Sequence, residues 1–223
     1  MKGRLFLINQ QYPFKLPPLS YGYDDLEPFI NGEIIKIHHR VLMQNYVNKL
    51  NELLKNFPQY HDWSLTSLVA YADTFPPALR TGIKNYGGGL YNHFIYFNSM
   101  SPSGRIPTDE LMTLIKNSFG NFDNMQKALH SSAAANFGCG YTWLVCGGNY
   151  RLQIINTTKQ NTPPLTVVSP VVAVDLWEHA FFPQYINNRN EYVKNWLKIA
   201  DWRKIYDILM CRPVQKINTH NFM

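Results

Sequence analysis

The feature that most constrains the chain is Asp175, set directly behind the apolar run Val171-Val-Ala-Val174. Four consecutive apolar residues, most of them β-branched, read as a buried strand. A carboxylate at the end of such a strand has left bulk water. It is tolerated there only with a cation or with hydrogen bonds. His179 follows four residues later in Asp175-Leu-Trp-Glu-His179. Whether the intervening residues turn or begin a helix, both side chains can reach one metal ion. Two donors do not define a metal site. The same five residues equally suit a carboxylate held by main-chain amides and a histidine in the core.

The rest of the chain has room for a core to hold such a site. It has 223 residues, 45% hydrophobic and 16% charged, which is globular and not disordered. The aromatic share of 14% points to a ring-rich core or interface. The formal net charge of +6 admits nucleic acid, an anionic surface or a small anion as partner. No Lys/Arg run or finger motif supports nucleic acid, so a solvated basic face or a steered small anion remains. Cys139, Cys146 and Cys211 are odd in number and lack a CxxC spacing. On one strand, Cys139 and Cys146 would face opposite ways and could not pair. No apolar run is long enough for a membrane span or a secretory signal. The expectation is a cytoplasmic protein; a surface or coat location is left open.

Periodicity divides the chain. Three prolines keep residues 12–23 extended. A long helix is expected from Asn31 to Asn56, carrying Ile34, Ile37, Val41, Leu42, Leu50, Leu53 and Leu54 at helical spacing. A second helix starts at Ser64, and a third runs from Ala78 to Met100. Gly87-Gly-Gly89 interrupts that third helix at a cost of roughly 1 kcal/mol per residue, which suggests that another group approaches its backbone closely. Ser101-Pro-Ser-Gly-Arg-Ile-Pro107 is the best boundary. Beyond it come helices starting at Thr108 and Asn121. Strands follow at Cys139–Val145, Tyr150–Asn156 and Leu165–Val174, the first two joined as a hairpin through Gly147-Gly148-Asn149. Helices at Glu191–Ala200 and Trp202–Leu209 complete the pattern. The fold class is α+β: a helical-hairpin domain over 12–100, then a three-stranded antiparallel sheet with helices over 108–210. Residues 1–11 and 211–223 read as extensions.

Each of two helices offers a histidine. His38 lies on the face of Ile34 and Tyr46 and should point inward, while His39 should point outward. His93 follows the glycine triplet by about one turn. Taken singly, each would more often be a core histidine than a ligand. Together with Asp175 and His179 they make three imidazoles and a carboxylate, suited to Mn or Fe and also to Zn.

From Tyr12 to Leu209 the chain resembles the iron/manganese superoxide dismutases. The matching stretches are Leu16-Pro-Pro-Leu19, Tyr23-Asp-Asp-Leu-Glu-Pro28, Ile37-His-His39 with Tyr46-Val-Asn48, Asn92-His93, Phe137-Gly-Cys-Gly-Tyr-Thr-Trp143 and Asp175-Leu-Trp-Glu-His-Ala180. The resemblance implies one metal ion per subunit, Mn preferred over Fe, on His38, His93, Asp175 and His179. It implies superoxide as substrate, converted to dioxygen and hydrogen peroxide. It assigns Gln160 and Tyr46 to a hydrogen-bonded pair at the metal, with Gly89 as the small residue opposite Gln160. Arg189 would stand at the mouth of the substrate funnel. Trp177 flanks the ligands, and Glu178 would reach the partner subunit's metal-ligand histidine in a homodimer, with a tetramer left open.

Several positions depart from the family pattern. Leu42 replaces a histidine, Phe182 replaces a tyrosine, and Phe97 and Tyr141 replace tryptophans. Loss of both polar partners at Leu42 and Phe182 avoids an orphaned group, which would cost roughly 1–3 kcal/mol. It also removes a proton route beyond Tyr46. Two readings therefore stand: an active dismutase, and a dismutase-derived structural or coat-like metal-binding protein with low activity. A zinc hydrolase is weaker, because Glu178 would be the only free base.

Overall fold

The computed structural model describes residues 9–203. The expected helix to Leu209 therefore lies mostly outside the described residues, as do Cys211 and most of both expected extensions. The segment before the first helix is extended and pinned to it: Phe14 N–H donates to Asn51 Oδ1 at 2.8 Å, and Asn51 Nδ2 donates back to Phe14 O at 2.9 Å.

Helix α1 is one continuous helix made of three stretches, Gly32–Ile37, His38–Met43 and Gln44–Leu54. Asn31 caps it by accepting from Glu33 N–H. Its middle stretch is wound as π turns, and each such turn inserts a residue and rotates everything beyond it. His39 stands at the start of that stretch, and the outward expectation for it fails because the segment before α1 lies over this face. His39 is buried, with Nε2 2.8 Å from Pro17 O and Nδ1 3.3 Å from the Tyr23 hydroxyl. The extended segment supplies the polar partners that a solvent-facing histidine would not need.

Helix α2 is Leu65–Ala70, capped by Ser64. Helix α3 joins Pro77–Gly82, Ile83–Gly87 and Gly88–Asn98, again with π turns in the middle. Every residue from Gly88 to Phe97 is buried, so this stretch is covered on all sides and central to the fold. Past the boundary, α4 (Asp109–Phe119) is capped by Thr108 and α5 (Phe122–Ala135) by Asn121. Gly120, at φ 84°, allows the sharp turn between them.

The sheet has strands β1 (Gly140–Gly147), β2 (Leu152–Thr158) and β3 (Val168–Asp175), antiparallel in the order β2-β1-β3. The hairpin expected between the first two forms. Its left-handed residue is Tyr150 at φ 59°, not the neighbouring glycines. Helix α6 (Glu178–Tyr185) starts almost at once after β3, and α7 (Arg189–Ile199) follows. The sequence pattern did not resolve α6. Pro183 lies inside it, and the helix is only eight residues long. Isolated bridges Met100–Ala200 and Arg105–Asp201 join the end of the helical half to the residues that follow α7. Helix α3 packs on β3, and this contact brings both halves to one place.

Candidate metal centre

β3 delivers Asp175 as its last residue, paired across the ladder with Tyr141 of β1. Cross-strand partners share a face of the sheet, so the Tyr141 phenol lies beside the carboxylate. Asp175 Oδ1 accepts from Trp177 N–H at 2.8 Å, which fixes the turn into α6. Helix α6 then returns His179 toward Asp175 within one turn.

The other carboxylate oxygen, Oδ2, faces three imidazoles. It lies 3.3 Å from His38 Nε2, 3.5 Å from His179 Nε2 and 3.8 Å from His93 Nε2. The His38 and His179 Nε2 atoms are 3.2 Å apart. All four donor atoms lie within 4.8 Å of one another. His93 Nδ1 is 2.6 Å from Gly89 O, so Nδ1 carries the proton and Nε2 presents a lone pair. Three of the four residues are buried, and the His179 side chain is one-quarter exposed.

The donor set fits a cation. His93 Nε2 and Asp175 Oδ2 are buried without a hydrogen-bond partner. An unsatisfied buried carboxylate oxygen is costly, and one aimed at three nitrogens has an ion as its natural complement. Separations of this size let all four atoms share a centre at bond lengths of about 2 Å. Burial, with the neighbouring His179, holds His38 down to about 4, and burial with His38 holds His93 down to about 3. Both are therefore neutral donors at pH 7. Burial works against Asp175 ionising, but the facing imidazoles of His179 and His38 outweigh it and hold the carboxyl below its ordinary range.

Around these four sits a hydrogen-bonded shell. Gln160, just beyond β2, donates from Nε2 to the Tyr46 hydroxyl at 3.0 Å, and its Oε1 accepts from the Tyr141 hydroxyl at 2.9 Å. The Tyr46 ring lies 5.2 Å from that of His93. Phe97 packs edge-on to His38 at 5.0 Å, and Trp177 stacks on His179 at 5.8 Å while its Nε1 donates to Lys159 O. The glycine triplet does more than make room for Gln160. A Cβ on Gly89 would meet the Tyr46 ring at 2.7 Å, and one on Gly88 would meet Gln160 O at 2.5 Å. Gly88 is thus the residue that admits Gln160, and Gly89 the one that admits Tyr46.

Two expected residues stand apart from this shell. Arg189 donates to the main-chain oxygens of Asn136 and Gly138 and lies over the Phe181 ring, so its bonds hold the turn into β1. Glu178 is exposed and, among the described residues, makes no ion pair. Leu42 lines a groove of about 360 Å³ with Ile34, Ile37, His38, His179 and Pro183, while Phe182 is half exposed in a neighbouring hollow with Glu178. Sequence reasoning matched Asn92 but gave it no role. Its side chain bonds Gln160 twice, a contact between helix and loop that no local pattern announces.

The comparisons agree with this architecture. Residues 13–101 match the model of the iron/manganese superoxide dismutase alpha-hairpin domain, and residues 107–207 match that of the C-terminal domain. The chain belongs to the iron/manganese superoxide dismutase family. It is 38% identical over 193 residues to "Superoxide dismutase [Mn] 2" of Bacillus anthracis, covering 86% of this chain and 92% of that one. "Superoxide dismutase [Mn] 1" of Leptolyngbya boryana is 36% identical, over 86% of this chain and 79% of its own. "Superoxide dismutase [Mn]" of Listeria innocua is 36% identical, over 85% and 94%. Dismutase-family membership thus covers both halves, and no helix among the described residues is long and apolar enough to cross a membrane.

Proposed function

We propose that the chain is a manganese-preferring superoxide dismutase with His38, His93, Asp175 and His179 as metal ligands. The observation that carries this reading is the unpartnered, buried Asp175 Oδ2 facing three imidazoles from three separate helices. When bound, the metal supplies one-electron chemistry, cycling between +3 and +2 as one superoxide is oxidised to dioxygen and another is reduced to peroxide. The hard carboxylate of Asp175 favours the higher charge, and the imidazoles accept either.

The chain's own residues manage the anion and the protons. Burial, with the charge of Asp175, pushes Tyr46 up to about 12, so its phenol keeps its proton at neutral pH. Its oxygen accepts from Gln160, which leaves the phenolic hydrogen free to be donated. Gln160 comes from the sheet half, where the resemblance to manganese-type members expects the glutamine, and Gly88 admits it; the relatives above carry manganese in their names. Arg189 and the basic balance of the chain favour approach of an anion. Glu178, exposed in the single chain, is free to bridge to His179 of a second copy in a homodimer. The test is dismutation rate per bound metal after loading with manganese or iron. High activity with manganese and little with iron is expected; equal activity with both would overturn the preference.

The apolar Leu42 and Phe182 favour the second reading enough to separate it by experiment. A stoichiometrically loaded protein whose rate stays far below a manganese dismutase control would be a metal-binding relative with a structural role. Pulse radiolysis of the loaded protein decides, and strong product inhibition is the expected mark of the missing proton route.

A further inference from the structure

Two phenols meet in the core beside the metal centre. Tyr96 lies on α3, three residues after His93, and its ring is 5.3 Å from that of His38. Its hydroxyl is 3.2 Å from the hydroxyl of Tyr192 on α7. Both residues are fully buried, so the pair is shut off from bulk water. The Tyr185 ring of α6 lies 5.7 Å from that of Tyr192, and Tyr185 is partly exposed. A line of three phenol rings thus runs from a ligand histidine toward the surface. The groups assigned to superoxide and its protons do not use it, because Tyr46 and Tyr141 pack on His93 and bond Gln160 instead. For packing alone, phenylalanine would fill the same space. What a phenol adds is an O–H that can be given up as a hydrogen atom. Burial above all pushes both hydroxyls up, so neither is lost as a bare proton at neutral pH. Either hydroxyl can donate in the shared bond. With Tyr192 donating, the Tyr96 hydrogen is free, and Tyr96 has no second partner among the described residues.

We infer that Tyr96 and Tyr192 form an electron-donor pair that intercepts the oxidant made when hydrogen peroxide meets the reduced metal. The inference rests on the dismutase reading, which supplies both the metal and the peroxide. In the first step the O–O bond of peroxide breaks and two waters form. The metal gives one electron, passing from +2 to +3, and solvent gives one proton. Tyr96 gives one hydrogen atom from its free O–H and becomes a tyrosyl radical. Tyr192 then passes its own hydrogen atom across the 3.2 Å bond to the Tyr96 oxygen. The O–H bond broken and the O–H bond formed are of the same kind, so the exchange needs no driving force. Tyr96 is restored, the radical rests on Tyr192, and the ligand histidines are spared oxidation.

The first readout is EPR. Iron-loaded protein is used, because its metal signals lie away from that of an organic radical. The protein is reduced, mixed with hydrogen peroxide and freeze-quenched. A free-radical signal is expected, narrowed when the chain carries ring-deuterated tyrosine. It should be lost in Tyr96→Phe. In Tyr192→Phe it should persist with a changed line shape, since the radical stays on Tyr96. Tyr185→Phe leaves the Tyr96–Tyr192 bond in place and should keep the wild-type signal. The second readout is mass spectrometry of manganese-loaded protein after repeated additions of peroxide. Oxidation of His38 and His179 should be several-fold greater in Tyr96→Phe than in wild type. Adding Tyr192→Phe to that variant should raise it no further, as expected of two residues that act in one sequence.

A radical signal unchanged in Tyr96→Phe, a signal indifferent to deuteration, or equal ligand oxidation in Tyr96→Phe and wild type would overturn the inference and leave the pair as packing. If Tyr96→Phe does not fold, the double variant Tyr96→Phe with Tyr192→Phe carries both readouts, because it removes both hydroxyls and orphans neither. Metal content, measured before peroxide is added, separates the two ways to fail. A chain that takes up no metal would sink the dismutase reading and this inference with it. A loaded, active chain that forms no tyrosyl radical would sink the inference alone.

Discussion

The two halves of the molecule each contribute two of the four donors, but by different means. The sheet half supplies Asp175 and His179 from one strand end and the first turn of the next helix. Their geometry is local, held by the Asp175–Trp177 turn. The helical half supplies His38 and His93 from separate helices, and nothing local relates them. Their convergence depends on π turns that rotate α1 and α3, on glycines that let side chains through, and on the packing of α3 against β3. A site built this way is robust on one side and depends on global packing on the other. Perturbing each half should have different consequences.

The largest effect is expected at the local pair. Asp175→Asn keeps the shape but removes the charge. It should lower bound manganese by more than about tenfold and activity with it, measured by elemental analysis and by dismutation assay. Metal-free protein should lose some stability as well, because the folded chain favours the ionised carboxylate that faces His179 and His38. An unchanged melting temperature of the metal-free variant would show that the carboxylate does nothing for the apo fold.

The next effect concerns the helical pair and pH. His38 and His93 are lowered in the folded chain to about 4 and about 3, mainly by burial. An unfolded chain binds those protons near pH 6.5, so between there and the folded values the unfolded state holds more protons. Stability of the metal-free protein should therefore fall steadily as pH drops from about 6.5 to about 4. Bound metal should raise the whole profile while leaving that slope in place, because the folded histidines carry no proton in either form. Denaturant melts of both forms across this range would check it, and a flat metal-free profile would contradict the buried, neutral state of the histidines.

Smaller effects should sort the glycine triplet residue by residue. Gly89→Ala would drive a Cβ into the Tyr46 ring at 2.7 Å, and Gly88→Ala would drive one into Gln160 O at 2.5 Å. Each should cost about 1–3 kcal/mol of stability, with Gly89→Ala also lowering turnover through Tyr46. Gly87→Ala would make only ordinary contacts, with Val69 at 3.4 Å, Ile83 at 3.7 Å and Leu50 at 3.8 Å. It should be neutral or stabilising by up to about 1 kcal/mol, the gain in helix propensity. Urea denaturation of the three variants would show whether the triplet acts as one flexible unit or as two clearances and a spare.

Much of this was legible in the sequence. The three strands and the capped helices at Asn31, Ser64, Thr108 and Asn121 all followed from turn chemistry and periodicity. So did the buried strand ending in Asp175. Periodicity reads His39 as exposed, yet it is buried, because its cover comes from Pro17 and Tyr23 of the segment before α1 and not from its own helix. Helix α6 escaped because a short helix containing Pro183 has too few turns to show a period.

By itself, the sequence determined the residue types and the strong local constraints: a carboxylate that cannot remain alone at the end of an apolar strand, a histidine four residues on, and glycines where a helix pays for them. Only the tertiary structure decided which long-range partners met. It put Asn92 against Gln160, Gly89 against Tyr46 and the Arg189 guanidinium on the Asn136 and Gly138 carbonyls. The physical reason is that these contacts join segments far apart in the chain. They are fixed by how α1, α3 and the sheet pack, and packing is a property of all the residues at once.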